Sequence, residues 1–380
     1  MTSVRRFLLP GCGLVLALAW LVYSYGFVDF NLTLASHPLV NGFISWSQQL
    51  AMFDRPMSLS VYLFLVIASF FCYWLALRLA ARRNHQFPWK IVLTIALVFV
   101  FAFPLLSSDV FKYLFVAKEV LVYHANPYLV TPQEFPADTW LRFMRWIHTP
   151  SPYGPVFTGY TLPFYLATLG KFTPMLYLYK LAQLGWYALT IWSLGRLGAS
   201  VKARLFFALN PLVLVEWLSS AHNDTIMISL FLLAFSLAVR RRYLWSLGSL
   251  LLSLGVKYVT GFFLPLIFLV KPRSRVVVTY LSLLALALAP LVYHYSYQYQ
   301  PWYVTWLVPI AAMLGNPIVM WMIGAYTFGA FLRYIPFISL GLWEGSPAYF
   351  AWLTFGPVLV SIIIFLPQIL SRVRKTQNQL

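Results

Sequence analysis

Apolar runs long enough to cross a bilayer recur along this chain, and short polar or basic segments separate them. Runs at 7–27, 57–77 and 89–107 come first, and 203–219, a run ending at Arg240, 276–294, 302–315, 317–335 and 349–370 follow later. They are continuous rather than alternating, which predicts α-helices and excludes the period-two pattern of a β-barrel. Between 107 and 200 lie two further runs, 153–170 and 173–195. If both crossed fully, the basic segment "GRLGASVKAR" would fall on the wrong side, so one of them is expected to be re-entrant or partly inserted. The stretch 243–271 has basic residues at both ends, which predicts two short crossings with Lys257 near their tip. The fold class expected is an all-α, polytopic membrane protein, one domain over 1–380, with about twelve crossings.

The longest polar interruption, 109–152, also carries a pattern. "VFKYLFVAKEVLVYH" sets apolar residues against Lys112, Lys118 and Glu119, and "DTWLRFMRWIH" sets Trp140, Leu141 and Met144 against Arg142 and Arg145. Both segments suit amphipathic helices lying in the membrane interface.

Composition and charge fix the orientation. The chain is 61% hydrophobic and 9% charged over 380 residues, whereas a soluble domain carries roughly 25% charged residues. Its +18 charge is concentrated in six basic clusters, at Arg5/Arg6, 78–90, 196–204, 240–242, 271–275 and 372–375, which hold 18 of the 27 basic residues. Such clusters mark cytoplasmic loops, so the charge reports topology and not nucleic-acid binding. The N-terminal run lacks a small-residue cleavage site and is expected to be the first anchor. Asp109 then emerges on the outer face. Cys12 and Cys72 lie within apolar runs, so neither a disulfide framework nor a metal site is expected.

With only nine carboxylates, each can be weighed. Asp29, Asp54, Glu134, Asp138 and Glu344 fall in outer loops, where a solvated role suffices. Glu119 is expected on the polar face of the loop helix, paired with a neighbouring lysine. Asp109, Glu216 and Asp224 sit at or inside the ends of apolar runs, where an ionisable group points to function. "SSD" before "VFKYLF" is also a good helix start, and "HND" at 222–224 could simply cap the next span. The threading places Asp109, His124, His148, His222, Asn223, Asp224 and Lys257 on the outer side with the loop cations. A carboxylate beside cations at membrane depth suits a general base working next to a lipid-linked phosphate. Lys257 either snorkels to the interface or has an anionic partner, for which a lipid phosphate is a candidate. "YSYQYQPWYVTW" reads as an aromatic belt, and "NLT" at 31–33 as a short acceptor motif for glycosylation.

The ordered pieces "SSDVFKYLF", "HANPYLVTP", "HTPSPYGPVF", "ALNPLVLVEWLSSAHNDTIMISLFLLA", "LGVKYVTGFFLPLIFL" and "QPWYVTWLVPI" cover more than half the chain. In that order they resemble the GT-C superfamily of glycosyltransferases that use polyprenyl-phosphate sugars, and within it the bacterial α-mannosyltransferases of lipoglycan and phosphatidylinositol mannoside synthesis. The resemblance implies a GT-C-type fold with interfacial helices in the first outer loop. It implies Asp109 as catalytic base, Lys257 near the lipid phosphate, and His222, Asn223 and Asp224 facing the same cavity. Tyr113, Asn126, Tyr128, Tyr153, Arg142 and Arg145 would complete the substrate site. It further implies inverting transfer, mannose as the favoured sugar, a polyprenyl-phosphate sugar donor, a glycolipid or glycan acceptor, contact with membrane lipids, and no metal or other cofactor. One segment departs from the pattern: "VAKE" follows the tyrosine where "DGR" is expected. The rival class is a multi-span transporter or lipid flippase. That class calls for repeat-related broken helices around a midplane site, whereas here the unusual polar residues gather on one side.

Overall fold

A computed structural model describes residues 3–28, 37–80, 86–265, 269–271, 274–292, 299–343 and 345–377. Asp29, "NLT" and Glu344 lie outside the described residues. The described part is largely helical, with no strand among those residues.

Helix α1 (Ser3–Tyr25), α2 (Pro38–Gln49), α3 (Arg55–Ala80) and α4 (Trp89–Phe101) precede the loop. α5 (Asp109–Leu121) begins it, and α6 (Pro155–Ala167) and α7 (Phe172–Arg196) follow. α8 (Val201–Ala208) and α9 (Pro211–Val213), the latter running into a π-helical turn at Leu214–Ser219, lead to α10 (Asp224–Val239) and α11 (Tyr243–Val256). α12 (Arg275–Val292), α13 (Leu307–Leu314), α14 (Pro317–Leu332), α15 (Ile335–Leu340) and α16 (Pro347–Gln377) complete the chain.

Many apolar runs therefore become shorter helices than their length suggests. Among the described residues, Arg55–Ala80, Pro317–Leu340 and Pro347–Pro367 are long and apolar enough to cross a membrane, with a fourth if the bent pair Pro211–Ser219 and Asp224–Val239 counts as one. Prolines and caps set the breaks. The 89–107 run stops at Phe101 because Pro104 cannot continue a helix. The 203–219 run breaks at Asn210, whose Oδ1 accepts from the N–H groups of Leu212 and Val213 while Pro211 takes the first helical position. Of the two ambiguous runs, α6 is the short one: its 13 residues rise only about 20 Å.

The break between the π-helical turn and α10 matters most, because it bends the chain by 113°. Ala221 takes the left-handed conformation there, with φ of +56°. Trp217 anchors the incoming side by donating to the hydroxyl of Thr305.

α10 packs against α11 and α7 in the buried centre. Along that contact, Ser246, Ser249 and Ser253 of α11 donate to the carbonyls of Ala234, Leu230 and Met227, each about a turn apart on α10. Small hydroxyl side chains let two apolar helices approach closely and tie them by hydrogen bonds. This ladder fixes the antiparallel register and so brings the end of α11, where Lys257 follows, to the start of α10, where Asp224 stands. α6 is brought to the same place by backbone. Gly154 donates to the carbonyl of Val256 at 3.0 Å, and a Cβ on Gly154 would lie 2.2 Å from the carbonyl oxygen of Gly255. Only glycine fits there.

Candidate active site

Two helix starts converge. Asp109 opens α5, and Asp224 opens α10; each follows a residue that makes no side-chain capping bond. The capping roles allowed by "SSD" and "HND" are thus not taken up by Ser108 or Asn223. Both carboxylates point instead at neighbouring side chains, while the helix termini still favour negative charge.

His222 is the hub between them. It is fully buried, with Nδ1 3.7 Å from Asp109 Oδ2, 4.0 Å from Asp224 Oδ2 and 3.3 Å from the Tyr113 hydroxyl. Its Nε2 lies 3.3 Å from Glu216 Oε2, off the line of a hydrogen bond. Glu216 Oε1 accepts from the Tyr334 hydroxyl at 2.6 Å. The imidazole stacks beneath Trp302, with ring centroids 4.4 Å apart and planes 23° apart. Tyr113 also reaches Asn223 Oδ1 at 3.5 Å and meets Tyr153 edge-on at 5.0 Å.

Lys257 closes the cluster. Its Nζ lies 2.7 Å from Asp224 Oδ1, which also accepts from Trp306 Nε1 at 2.6 Å. The ammonium is 5.6 Å from the Tyr303 ring centre and 5.5 Å from that of Trp306. Lys257 therefore neither snorkels freely nor needs a lipid phosphate as counter-ion: the protein supplies one. Asn223 Nδ2 and Asp224 Oδ2 remain buried without hydrogen-bond partners among the described residues.

Of the two helix-start carboxylates, Asp109 is the one that meets open space. It lines a narrow cleft of about 50 Å³ with Arg145, Gln300, Trp302, Arg333, Tyr334 and Trp343. That cleft shares Ser107, Ser108, Arg145 and Trp343 with a wide cavity of about 650 Å³, which Arg55 and Arg142 also line. Burial pushes the Asp109 carboxyl up, and the opposing pulls of His222 and then Lys257 act to keep it ionised. A separate apolar groove of about 370 Å³ between α1, α3, α4 and α8 has no lining residue in common with either. That groove is lined by no Asp, Glu, His, Lys or Arg side chain, whereas the cleft holds Asp109 with Arg145 and Arg333.

The loop is more deeply folded in than its pattern suggests. Lys112 is buried, and its ammonium donates to the carbonyls of Trp146, Thr149 and Pro150 and to the Thr149 hydroxyl. Burial lowers its pKa to about 8, against the pulls of Glu119 and Asp109. Lys118 pairs with Asp138, not with Glu119, and its ammonium lies 4.5 Å from the Trp140 ring centre. Asp138 is buried rather than solvated, accepting from Tyr123 at 2.7 Å and from the Trp140 N–H at 2.8 Å. Glu119 is buried too, at 2% exposure. The second amphipathic segment forms only a five-residue 3-10 turn, Thr139–Phe143. The polar face of α5 is thus turned inward to hold the loop, so α5 is not a free interfacial helix.

The other candidates divide. Tyr153 joins the cluster through Tyr113, and Arg145 and Arg142 line the open spaces. Asn126 and Tyr128 do not meet Asp109: Asn126 Oδ1 accepts from the Tyr128 N–H in a local turn, and the Tyr128 hydroxyl bonds Thr158 on α6. Trp302 and Trp306, assigned by pattern to an aromatic belt, point into the site instead. Glu216, Tyr334 and Arg333 complete it. Glu216 stood out as an acid inside an apolar run; no sequence signal marked Tyr334 or Arg333. Among the described residues, no group of three or more His, Cys, Asp or Glu side chains is arranged to hold a metal ion.

Comparison with known proteins gives consistent results. Residues 12–273 match the family described as alpha-(1->6)-mannopyranosyltransferase, N-terminal domain (MptA_B family). The chain is 24% identical over 174 residues to an alpha-(1->6)-mannopyranosyltransferase A of Corynebacterium glutamicum, a stretch covering 44% of this chain and 35% of the relative. It is 28% identical over 204 residues to the protein of that name from Mycobacterium tuberculosis, covering 50% and 39%. The chain thus spans little more than a third of the length of the curated relatives it matches. No solved structure matches it.

Proposed function

The chain belongs to that alpha-(1->6)-mannopyranosyltransferase family, and from this premise we propose that it is a multi-pass membrane mannosyltransferase. The donor is a polyprenyl-phosphate mannose, and the acceptor is a glycolipid or cell-envelope glycan at the extracytoplasmic face. The observation that carries this reading is Asp109: a carboxylate lining an arginine- and tryptophan-walled cleft, 3.7 Å from a buried histidine.

Asp109 takes the proton from an acceptor hydroxyl as that oxygen attacks the anomeric carbon. The new glycosidic bond forms as the bond from the anomeric carbon to the phosphate oxygen breaks, so configuration inverts and the lipid phosphate departs with the electron pair. His222 and Tyr113 hold the carboxylate's surroundings in place, and Lys257 keeps Asp224 and its helix start fixed beside them. Trp302 and Trp343 offer flat apolar surfaces against which a sugar ring packs. The chain has no glycine-rich loop of the kind that cradles a nucleotide's phosphates, which agrees with a donor phosphate carried on a lipid. Outer-face placement follows from the basic clusters opposite.

Purified protein in detergent, given radiolabelled polyprenyl-phosphate mannose and extracted glycolipid acceptors, tests the reading. The expected product carries α-linked mannose. Use of GDP-mannose alone, or transfer with retention, would contradict it.

A further inference from the structure

We propose that Arg333 binds the phosphate of the lipid donor, taking the role that the resemblance implies for Lys257; this rests on the lipid-phosphate donor reading above. The lysines near Asp109 are already engaged. Lys257 is neutralised by Asp224 at 2.7 Å and is not among the residues lining the cleft. Lys112 spends its ammonium on four oxygens of the 146–150 loop, and Lys118 is paired with Asp138.

Arg333 is placed differently. It follows α14, is half-buried, and lines the same cleft as Asp109. Its guanidinium lies over the Phe350 ring, 4.4 Å from the centroid, and forms no ion pair with a carboxylate among the described residues. The neighbouring residue fixes this aim. Tyr334 is buried and donates to Glu216 at 2.6 Å, so the backbone turn that carries both residues is pinned to the core while Arg333 reaches the cleft. The cleft thus sets one carboxylate base beside two guanidiniums, Arg145 and Arg333, and the planar fork of Arg333 suits two phosphate oxygens at once. Base for the nucleophile and cation for the leaving group then share one small space. When the anomeric bond breaks, the negative charge that develops on the phosphate is met by a fixed cation already partly removed from water.

The test is binding of a short-chain polyprenyl phosphate to the purified full chain in detergent, beside the same polyprenol without phosphate. Arg333→Gln is expected to weaken the phosphate ligand about tenfold or more and leave the polyprenol unchanged. Arg333→Lys should recover part of the loss, and its unfolding temperature without ligand reports whether packing on Phe350 survives. Wild-type affinity in Arg333→Gln would overturn the proposal. An equal loss for both ligands would overturn it too, because it would assign Arg333 to packing alone. In transfer assays the donor KM should rise; a rise in acceptor KM alone would place the anion on the acceptor and contradict the proposal. Failure of the wild-type protein to bind the phosphate ligand would count against the donor reading itself, and so against both.

Discussion

Lys257 and Asp224 meet at 2.7 Å where α11 ends and α10 begins, and the Asp224 side chain is fully buried. Removing one partner of a buried pair leaves the other uncompensated, at a cost of about 3–5 kcal/mol. Lys257→Met should therefore destabilise the protein by about that amount, measured by denaturant unfolding in detergent. The double change Lys257→Met/Asp224→Asn should recover much of the loss. A single Lys257→Met variant as stable as the wild type would show that the pair does not hold this junction.

The two glycines at the start of α6 and the end of α11 make a sharper steric test. Gly154→Ala puts a Cβ 2.2 Å from the Gly255 carbonyl oxygen, and backbone cannot move aside cheaply, so a loss of about 1–3 kcal/mol is expected. Gly159→Ala, five residues on in the same helix, meets nothing within 4 Å and should be neutral or slightly stabilising. Equal effects from the two would contradict the close approach of α6 to α11.

Glu119 gives a pH signature. Burial raises its pKa to about 8, with Lys112 opposing the rise. A folded-state value above the unfolded one means that the folded chain holds an extra proton between about 4.5 and 8. The contribution is full below the lower value and is lost as pH rises through the upper one. Glu119→Gln cannot ionise, so its advantage in unfolding temperature over the wild type should grow across that window. A constant difference between the two from pH 4.5 to 8 would show that Glu119 does not titrate in the folded loop.

Much of this was legible in the sequence, and the gaps have physical causes. Continuous apolar runs and basic clusters gave the helical membrane class. Asp109, His222, Asp224 and Lys257 stood out because charge is costly in such surroundings, and the structure brings all four together. Helix lengths were less legible, because Asn210–Pro211 and Pro104 interrupt apolar runs whose hydropathy continues unbroken. The loop misled for a different reason: periodicity shows that Lys112 and Glu119 share a face of α5, but not whether water or protein covers that face. Trp302 and Trp306 fit an aromatic belt by pattern, because an interfacial tryptophan and a site tryptophan have the same local sequence. Arg333 was invisible because its placement depends on Tyr334 reaching Glu216, a contact spanning more than a hundred residues.

The central claim is that Asp109 is the base. Transfer of mannose from a polyprenyl-phosphate donor by Asp109→Asn, measured beside the wild type with folding checked by unfolding temperature, tests it most directly. A folded variant with activity lowered by about 10² to 10⁴ and undiminished donor binding is the result expected. A folded Asp109→Asn protein transferring at near the wild-type rate would contradict it.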